Sequence, residues 1–349
     1  MRAQKTMRAV VKTHDMGPGA ELREVPIPEM GSRDVLVKVE KAAICGSDKH
    51  RYRWEPSMGE PNFVSPLTLG HEISGRVMEV GSEVTRTKVG DRVAVETHVP
   101  CETCVQCLRG DFHICHNLQV LGLNRDGCFS DYVVIPQSCA VLVSEEIPPQ
   151  QVALLEPMGV AYHGLSKVRT GGNSVLVVGC GPIGLMSVQL ARILGASCVI
   201  AVGKHPSQRQ MARRLGANIV AGPNPGEVKA AVIEATDGYG VGVALEISGS
   251  PAGVETAFDS VRKGGELVMV GFPKAMNFDF QKYLVRKELR VHGQHGRKMY
   301  DTWVDVLALC KAGLLDLSGY ITGDVPLEAF DKAFELANRE DQIKVLLTP

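Results

Sequence analysis

The stretch that most constrains the fold is Ser174–Gly195, SVLVVGCGPIGLMSVQLARILG. An apolar run, Val175–Val178, meets a glycine turn, and a helical pattern follows from Leu185 to Leu194. The turn has G-x-G-x-x-G spacing, with Gly179, Gly181 and Gly184 as its glycines and Pro182 and Ile183 between the last two. In a strand–turn–helix setting the glycines let the backbone approach a pyrophosphate, and the unpaired helix amides with their partial positive charge bind it. A glycine motif alone is weak evidence, but here the preceding strand, the following helix and the βα alternation downstream agree. Thr170–Ala191 has no charged residue and could be taken for a membrane span. Its glycines, proline and polar residues argue against that, so a buried strand and a nucleotide-facing helix are expected.

Beyond the turn, Cys198–Val202, Ile219–Ala221, Val241–Ile247 and Glu266–Phe272 read as strands, with Ser207–Leu215, Gly226–Thr236 and Pro251–Val261 as helices. Such repetition predicts an α/β fold with a doubly wound parallel sheet. Gly271 and Phe272 then close a strand where a nicotinamide would lie. At 349 residues the chain is long for a single core, so two domains are expected. Lysine plus arginine (38) nearly balances aspartate plus glutamate (39), and this charge points to neither nucleic acid nor an anionic membrane. The opening residues carry charges and no apolar segment, so no secretory signal is expected. Ten cysteines in that setting read as metal ligands and buried thiols in a reducing cytoplasm.

The N-terminal part alternates apolar and polar residues over Met7–Thr13 and Val35–Lys41, as half-buried strands do. Whether residues 1–6 have a function is left open by a second methionine at Met7. Two short segments then carry chemistry: Cys45-Gly-Ser-Asp-Lys-His50 and Gly70-His71-Glu72. A lone Cys45 would read as a small buried hydrophobe. Together with His71 and Glu72 it supplies the thiolate, imidazole and carboxylate of a catalytic zinc, which keeps one position open. Cys101, Cys104, Cys107 and Cys115 form C-x2-C-x2-C-x7-C, a spacing that can close a tetrahedral zinc shell. Two disulfides are disfavoured in a reducing compartment. A zinc ribbon for nucleic acid is disfavoured by the lack of a basic cluster in His98–Asn117.

The segment Gly70–Val84, GHE-x2-G-x5-G-x2-V, together with I-C-G-S-D-x-H before it, resembles the signature of the zinc-containing medium-chain alcohol dehydrogenases. The resemblance covers nearly the whole chain. Within the family the chain is most similar to the L-threonine 3-dehydrogenases, through Ile44–Trp54, Gly122–Phe129, Leu245–Gly249 and Gly296–Trp303. It implies a GroES-like, mainly β catalytic domain over residues 1–157 and 296–349, with a structural-zinc lobe at 98–117. The dinucleotide-binding Rossmann domain would span 158–295, and Ile343–Leu347 would rejoin the first domain as a strand. It further implies that Cys45, His71 and Glu156 hold the catalytic zinc, with Glu72 an alternative ligand or a group behind the shell. Asp48 would orient His71, Ser47 and His50 would relay a proton, His98 would line the substrate site, and Arg297 would contact the cofactor. Glu156 could instead be an acid placed by a helix N-terminus. His98 could equally be an exposed strand-end residue. His163 reads as a packed core histidine, while His113 and His116 read as solvated or capping residues. A homo-oligomer, tetramer or dimer, and a small-molecule substrate are family expectations.

One departure from those relatives concerns the cofactor. The Rossmann pattern places an acid roughly 20 residues past the glycines, on the adenosine ribose 2′-hydroxyl. Alignment on Arg213-Arg214-Leu215-Gly216 puts Gly203 there, followed by Lys204, His205 and Arg209. The bland alternative is an ordinary turn with a solvated basic face. Loss of the acid and gain of cations is what a 2′-phosphate requires, so NADP is favoured over NAD. The expected activity is a zinc-dependent dehydrogenase acting on a small polar secondary alcohol, an amino alcohol or a polyol. The alternatives are an NAD-dependent L-threonine 3-dehydrogenase and, outside enzymes, a zinc-free or structural relative.

Overall fold

The computed structural model describes residues 5–13, 17–55 and 64–349. Residues 1–4 of the N-terminal hexapeptide lie outside the described residues. Two compact units are present: Met1–Glu156 with Met299–Pro349, and Pro157–Lys298.

The first unit is built on β-sheet. Its largest sheet has seven strands, running Ala140–Leu142, Arg92–Val95, Glu72–Val80, Asp34–Ala43, Lys344–Thr348 and Ile321–Pro326, with Tyr132–Pro136 also paired to Asp34–Ala43. Lys344–Thr348 is antiparallel to Asp34–Ala43, with Leu346 opposite Ala43, and parallel to Ile321–Pro326. A second sheet has three antiparallel strands in the order Glu21–Pro26, Thr6–Lys12 and Leu67–Thr68, with Val11 opposite Thr68. The alternation of Val35, Val37 and Val39 puts these side chains on one face, where they join Val10, Ile73, Phe129, Phe334 and Leu347 in one core.

In the second unit six parallel strands run in the order Ile219–Ala221, Cys198–Val202, Ser174–Val178, Val241–Glu246, Val261–Met269 and Arg290–Gly293. That is strand order 3-2-1-4-5-6, the doubly wound Rossmann arrangement. The strands are near-continuous runs of Val, Ile, Leu and Ala because helices cover both faces of a parallel sheet. The strand order reverses between Ser174–Val178 and Val241–Glu246, and ligands bind outside the carboxyl ends of strands at such a point. The sequence reading missed the sixth strand, Arg290–Gly293. It is short and partly charged, and lies on the sheet edge, where periodicity says little. Val261 opens a strand instead of closing the helix Pro251–Ser260.

Among the described residues, no helix is long and apolar enough to cross a membrane.

Candidate active site and metal centres

In the first unit the side-chain donors of Cys45, His71 and Glu72 all lie within 4.8 Å of one another. Cys45 caps the short helix Gly46–Tyr52, and the Asp48 carboxylate accepts the Cys45 amide at 2.9 Å. This reciprocal cap fixes the entry of the chain and points Asp48 inward. Asp48 Oδ1 also lies 3.2 Å from His71 Nδ1, both side chains being buried. With Nδ1 facing a carboxylate, Nε2 is left as the ring atom for a metal, and the carboxylate orients the ring. Burial pushes the Cys45 thiol up, but the charge and hydrogen bond of His71, with Lys344 behind, bring it down to about 6. Asp48 stays below the usual carboxylate range despite its burial, chiefly because of His71.

Glu72 is fully buried at the start of its strand, and Lys344 Nζ donates to both its oxygens, at 2.5 and 2.6 Å. Burial works against a charge on Lys344. The facing carboxylate outweighs it and holds the amine above its ordinary value. Sequence reading placed Glu72 in or behind the shell but missed Lys344, which sits 272 residues away. Glu156 is buried in the first turn of the helix Leu155–Ser166, close enough for its charge to act on Glu72 and Lys344. It is not among the three residues whose donors converge within 4.8 Å.

Ser47 is half-buried in the Gly46–Tyr52 helix, and His50, near the end of that helix, is exposed with Nδ1 2.8 Å from Glu55. His98 is buried on the strand His98–Val99, with its amide and its Nδ1 each 2.9 Å from Glu96 Oε1. Trp303 Nε1 donates to the other Glu96 oxygen at 2.9 Å. Glu96, fully buried, was missed by sequence reading. An acid two residues before His98 was the signal for it.

The four lobe cysteines also lie with their sulfurs within 4.8 Å of one another. Cys104–Cys107, Cys104–Cys115 and Cys101–Cys115 sulfurs are 3.5, 3.8 and 3.5 Å apart. Four sulfurs at about 2.3 Å from a tetrahedral zinc would be about 3.8 Å apart, so the donor set fits that ion. The Thr103 hydroxyl and nearby amides pull Cys101 down to about 5. Burial and neighbouring thiols push Cys107 up to about 12. His113, expected to be solvated or capping, is buried in the short turn Phe112–Ile114, while His116 is exposed.

In the second unit, the helix Pro182–Ile193 starts at Gly181. A Cβ on Gly184 would lie 1.8 Å from the Gly179 carbonyl oxygen, so helix and turn touch there, while a Cβ on Gly181 would meet nothing within 4 Å. The turn is thus packed on one side and open on the other, as a pyrophosphate cradle must be. Gly203 directly follows the strand Cys198–Val202 and is buried, Lys204 is exposed, and Arg209 Nη1 donates to the carbonyls of Gly203 and Lys204 at 2.8 and 2.9 Å. At the end of the fourth strand a buried Glu246, also missed, accepts from the Ser248 amide and hydroxyl. The Gly271 amide donates to the Glu246 carbonyl, and Phe272 beyond it is exposed. Arg297 is fully buried, one residue past Gly296, whose carbonyl lies 3.1 Å from His163 Nδ1.

Residues 31–145 match the alcohol dehydrogenase GroES-like domain, and residues 182–312 match the zinc-binding dehydrogenase domain. The chain is 40% identical over 348 residues to an L-threonine 3-dehydrogenase of Symbiobacterium thermophilum, covering 99% of this chain and 98% of that protein. Among solved structures it resembles a protein of Sinorhizobium meliloti 1021, described as a zinc-binding dehydrogenase and bound to NADP. The TM-score is 0.90 and the identity 30%, over 99% of this chain and 100% of that one. It also resembles an alcohol dehydrogenase of Escherichia coli CFT073 complexed with NADH, with a TM-score of 0.90 and 27% identity over 99% of each chain. The GroES-like and Rossmann units, the two donor sets and these matches agree: the chain belongs to the zinc-containing medium-chain alcohol dehydrogenase family, with L-threonine 3-dehydrogenases among its relatives.

Proposed function

We propose that the protein is a zinc-dependent dehydrogenase that transfers hydride between a small polar secondary alcohol, an amino alcohol or a polyol, and NADP. Cys45, His71 and Glu156 would hold the catalytic zinc, with Glu72 kept behind the shell by Lys344, and the four lobe cysteines would hold a second, structural zinc. Bound zinc supplies a Lewis acid that lowers the pKa of the alcohol, and the nicotinamide supplies the hydride acceptor. Asp48 holds the ring of His71, and His98, steadied by Glu96, lines the substrate side. Ser47 and His50 carry the alcohol proton outward, with His50 exposed toward solvent and partnered by Glu55. In the second unit Gly179, Gly181, Pro182, Ile183 and Gly184 receive the pyrophosphate, and Gly271 and Phe272 flank the nicotinamide, with Arg297 behind. The enzyme would work in the cytoplasm as a homo-oligomer.

The observation that carries the cofactor assignment is the end of the strand Cys198–Val202, where Gly203 and Lys204 stand in place of a carboxylate. A charge-assisted bond to a 2′-phosphate contributes roughly 1.5–3 kcal/mol, about tenfold or more in affinity. The test is a panel of amino alcohols and polyols assayed with both cofactors. A lower KM for NADP, weakened by salt and by Lys204→Ala with little change for NAD, is expected. A preference for NAD with L-threonine as the best substrate would replace this reading with an NAD-dependent L-threonine 3-dehydrogenase, which the 40% identical relative favours. A purified protein without metal at the open site would favour a non-enzymic role, since about two zinc ions per chain are expected from one open and one closed site.

A further inference from the structure

Lys12 ends the strand Thr6–Lys12 and is fully buried, with no carboxylate paired to its amine among the described residues. A lysine so placed is uncommon, because a charge taken out of water without a counter-charge is costly. Burial pulls the amine below its ordinary value. What surrounds it is backbone and one ring. The ammonium donates to the carbonyls of Gly17 and Gly19, lies 3.5 Å from the carbonyl of Tyr52, and stands 5.0 Å from the centre of the Trp54 ring. That last distance is within reach of a cation–π attraction.

These contacts gather at the end of Gly46–Tyr52, the helix that carries Ser47 and His50. The Gly19 amide also donates to the Tyr52 carbonyl, at 2.6 Å. A carbonyl at a helix C-terminus has no partner within the helix and favours a cation. Beyond it the chain turns back on itself. The Trp54 amide donates to the Arg51 carbonyl at 3.0 Å, and the Glu55 amide to the His50 carbonyl at 2.9 Å. Trp54 has φ +60, in the left-handed region that a bulky residue rarely enters. Such a backbone persists only where its surroundings over-determine it. The turn it makes puts the Glu55 carboxylate 2.8 Å from His50 Nδ1. The helix itself is anchored elsewhere, since the Tyr52 ring stacks on Phe334 at 4.1 Å and its hydroxyl donates to Asp331 at 2.6 Å. Loss of Lys12 would therefore loosen the turn while the helix stays docked.

We infer that Lys12 is a positioning residue for proton transfer: one buried ammonium draws three carbonyls and the Trp54 ring together, and so holds the left-handed turn that sets Glu55 against His50. A carboxylate at Nδ1 orients the ring and leaves Nε2 as the atom that takes the proton. This role rests on the reading of Ser47 and His50 as the proton relay.

The test is a set of variants of the full-length, zinc-loaded protein, each first shown by metal content and circular dichroism to be folded. Lys12→Met should lower kcat about 10–100-fold, the scale on which small misplacements act, with KM for the cofactor unchanged. Lys12→Met/His50→Ala should turn over within about threefold of His50→Ala alone, because the lysine acts through that histidine. Losses that multiply would overturn the role. In Lys12→Met/Trp54→Gly a glycine takes the left-handed turn with no cation to hold it, and kcat should rise at least about fivefold over Lys12→Met. Lost packing is not relieved by removing a second side chain, so a double variant no faster than Lys12→Met would also overturn the role. So would a Lys12→Met protein with the wild-type kcat. If Lys12→Met does not fold, Lys12→Gln takes its place in each comparison, since it keeps an N–H for the carbonyls and removes the charge from the ring. Trp54 reports without turnover: it is the exposed one of two tryptophans, Trp303 being buried. In the metal-free protein, Lys12→Met should make its fluorescence more readily quenched by acrylamide. A His50→Ala protein as fast as the wild type would overturn the relay reading, whereas unchanged quenching would overturn the hold of Lys12 on the turn.

Discussion

Lys344 and Glu72 are each almost completely shielded from water, and the amine bridges both carboxylate oxygens. Two charges in such a place are tolerable as a pair and costly apart. Lys344→Met should therefore destabilise the protein by about 3–5 kcal/mol, with Glu72→Gln in the same chain recovering most of the loss. Thermal melting of the two variants checks this. At Cys45 the outcome is different. Cys45→Ser should reduce turnover by more than the roughly 10–100-fold typical of losing an outer partner of a metal site, while the fold persists. kcat and the circular dichroism melt of one preparation decide it. In the metal-free protein the Cys45 thiol is lowered from an ordinary value of 9.0 to about 6. A group depressed on folding stabilises fully above its unfolded pKa and loses that contribution as pH falls through its folded pKa. The Tm advantage of metal-free wild type over Cys45→Ser should thus be largest above pH 9, shrink as pH falls, and vanish below about 6. A pH-independent difference would contradict the assignment.

At the scale of elements, the cysteine lobe and the glycine turn behave as local devices. Cys104 opens the short helix Val105–Leu108, and all four thiols come from a fifteen-residue segment. Closing such a segment around a metal contributes folding energy directly. Cys104→Ser should lower the Tm and remove one zinc per chain, while kcat per remaining catalytic zinc changes little. Metal analysis beside a melting curve measures both. Locality also explains what the sequence disclosed. The lobe and the Gly179–Gly184 turn are set by spacings of a few residues and were visible before any fold was known, whereas the equally local Cys45–Asp48 cap was not read from the sequence. Lys344 looked like any lysine beginning a strand, because its partner lies 272 positions away. The Glu96–Trp303 bond spans 207 positions and was hidden for the same reason.

On the scale of the whole molecule, the first unit is assembled from two separated pieces of chain and the second from one. The strand Lys344–Thr348 lies inside the seven-stranded sheet, between Asp34–Ala43 and Ile321–Pro326. Deleting residues 344–349 should therefore abolish turnover and unfold the first unit, because it removes an interior strand together with the partner of Glu72. A nicotinamide dinucleotide should still protect the second unit against proteolysis, and cleavage of both units at equal rates would contradict that. The same interleaving sets a timetable during synthesis. A ribosome adding about 5–20 residues per second makes the 272 positions from Glu72 to Lys344 in roughly 14–54 s. The nucleotide-binding unit is complete in sequence before that interval closes and can fold as it emerges. Through those seconds the future metal site holds a carboxylate with no cation to meet it, and the half of the enzyme begun first is the half finished last.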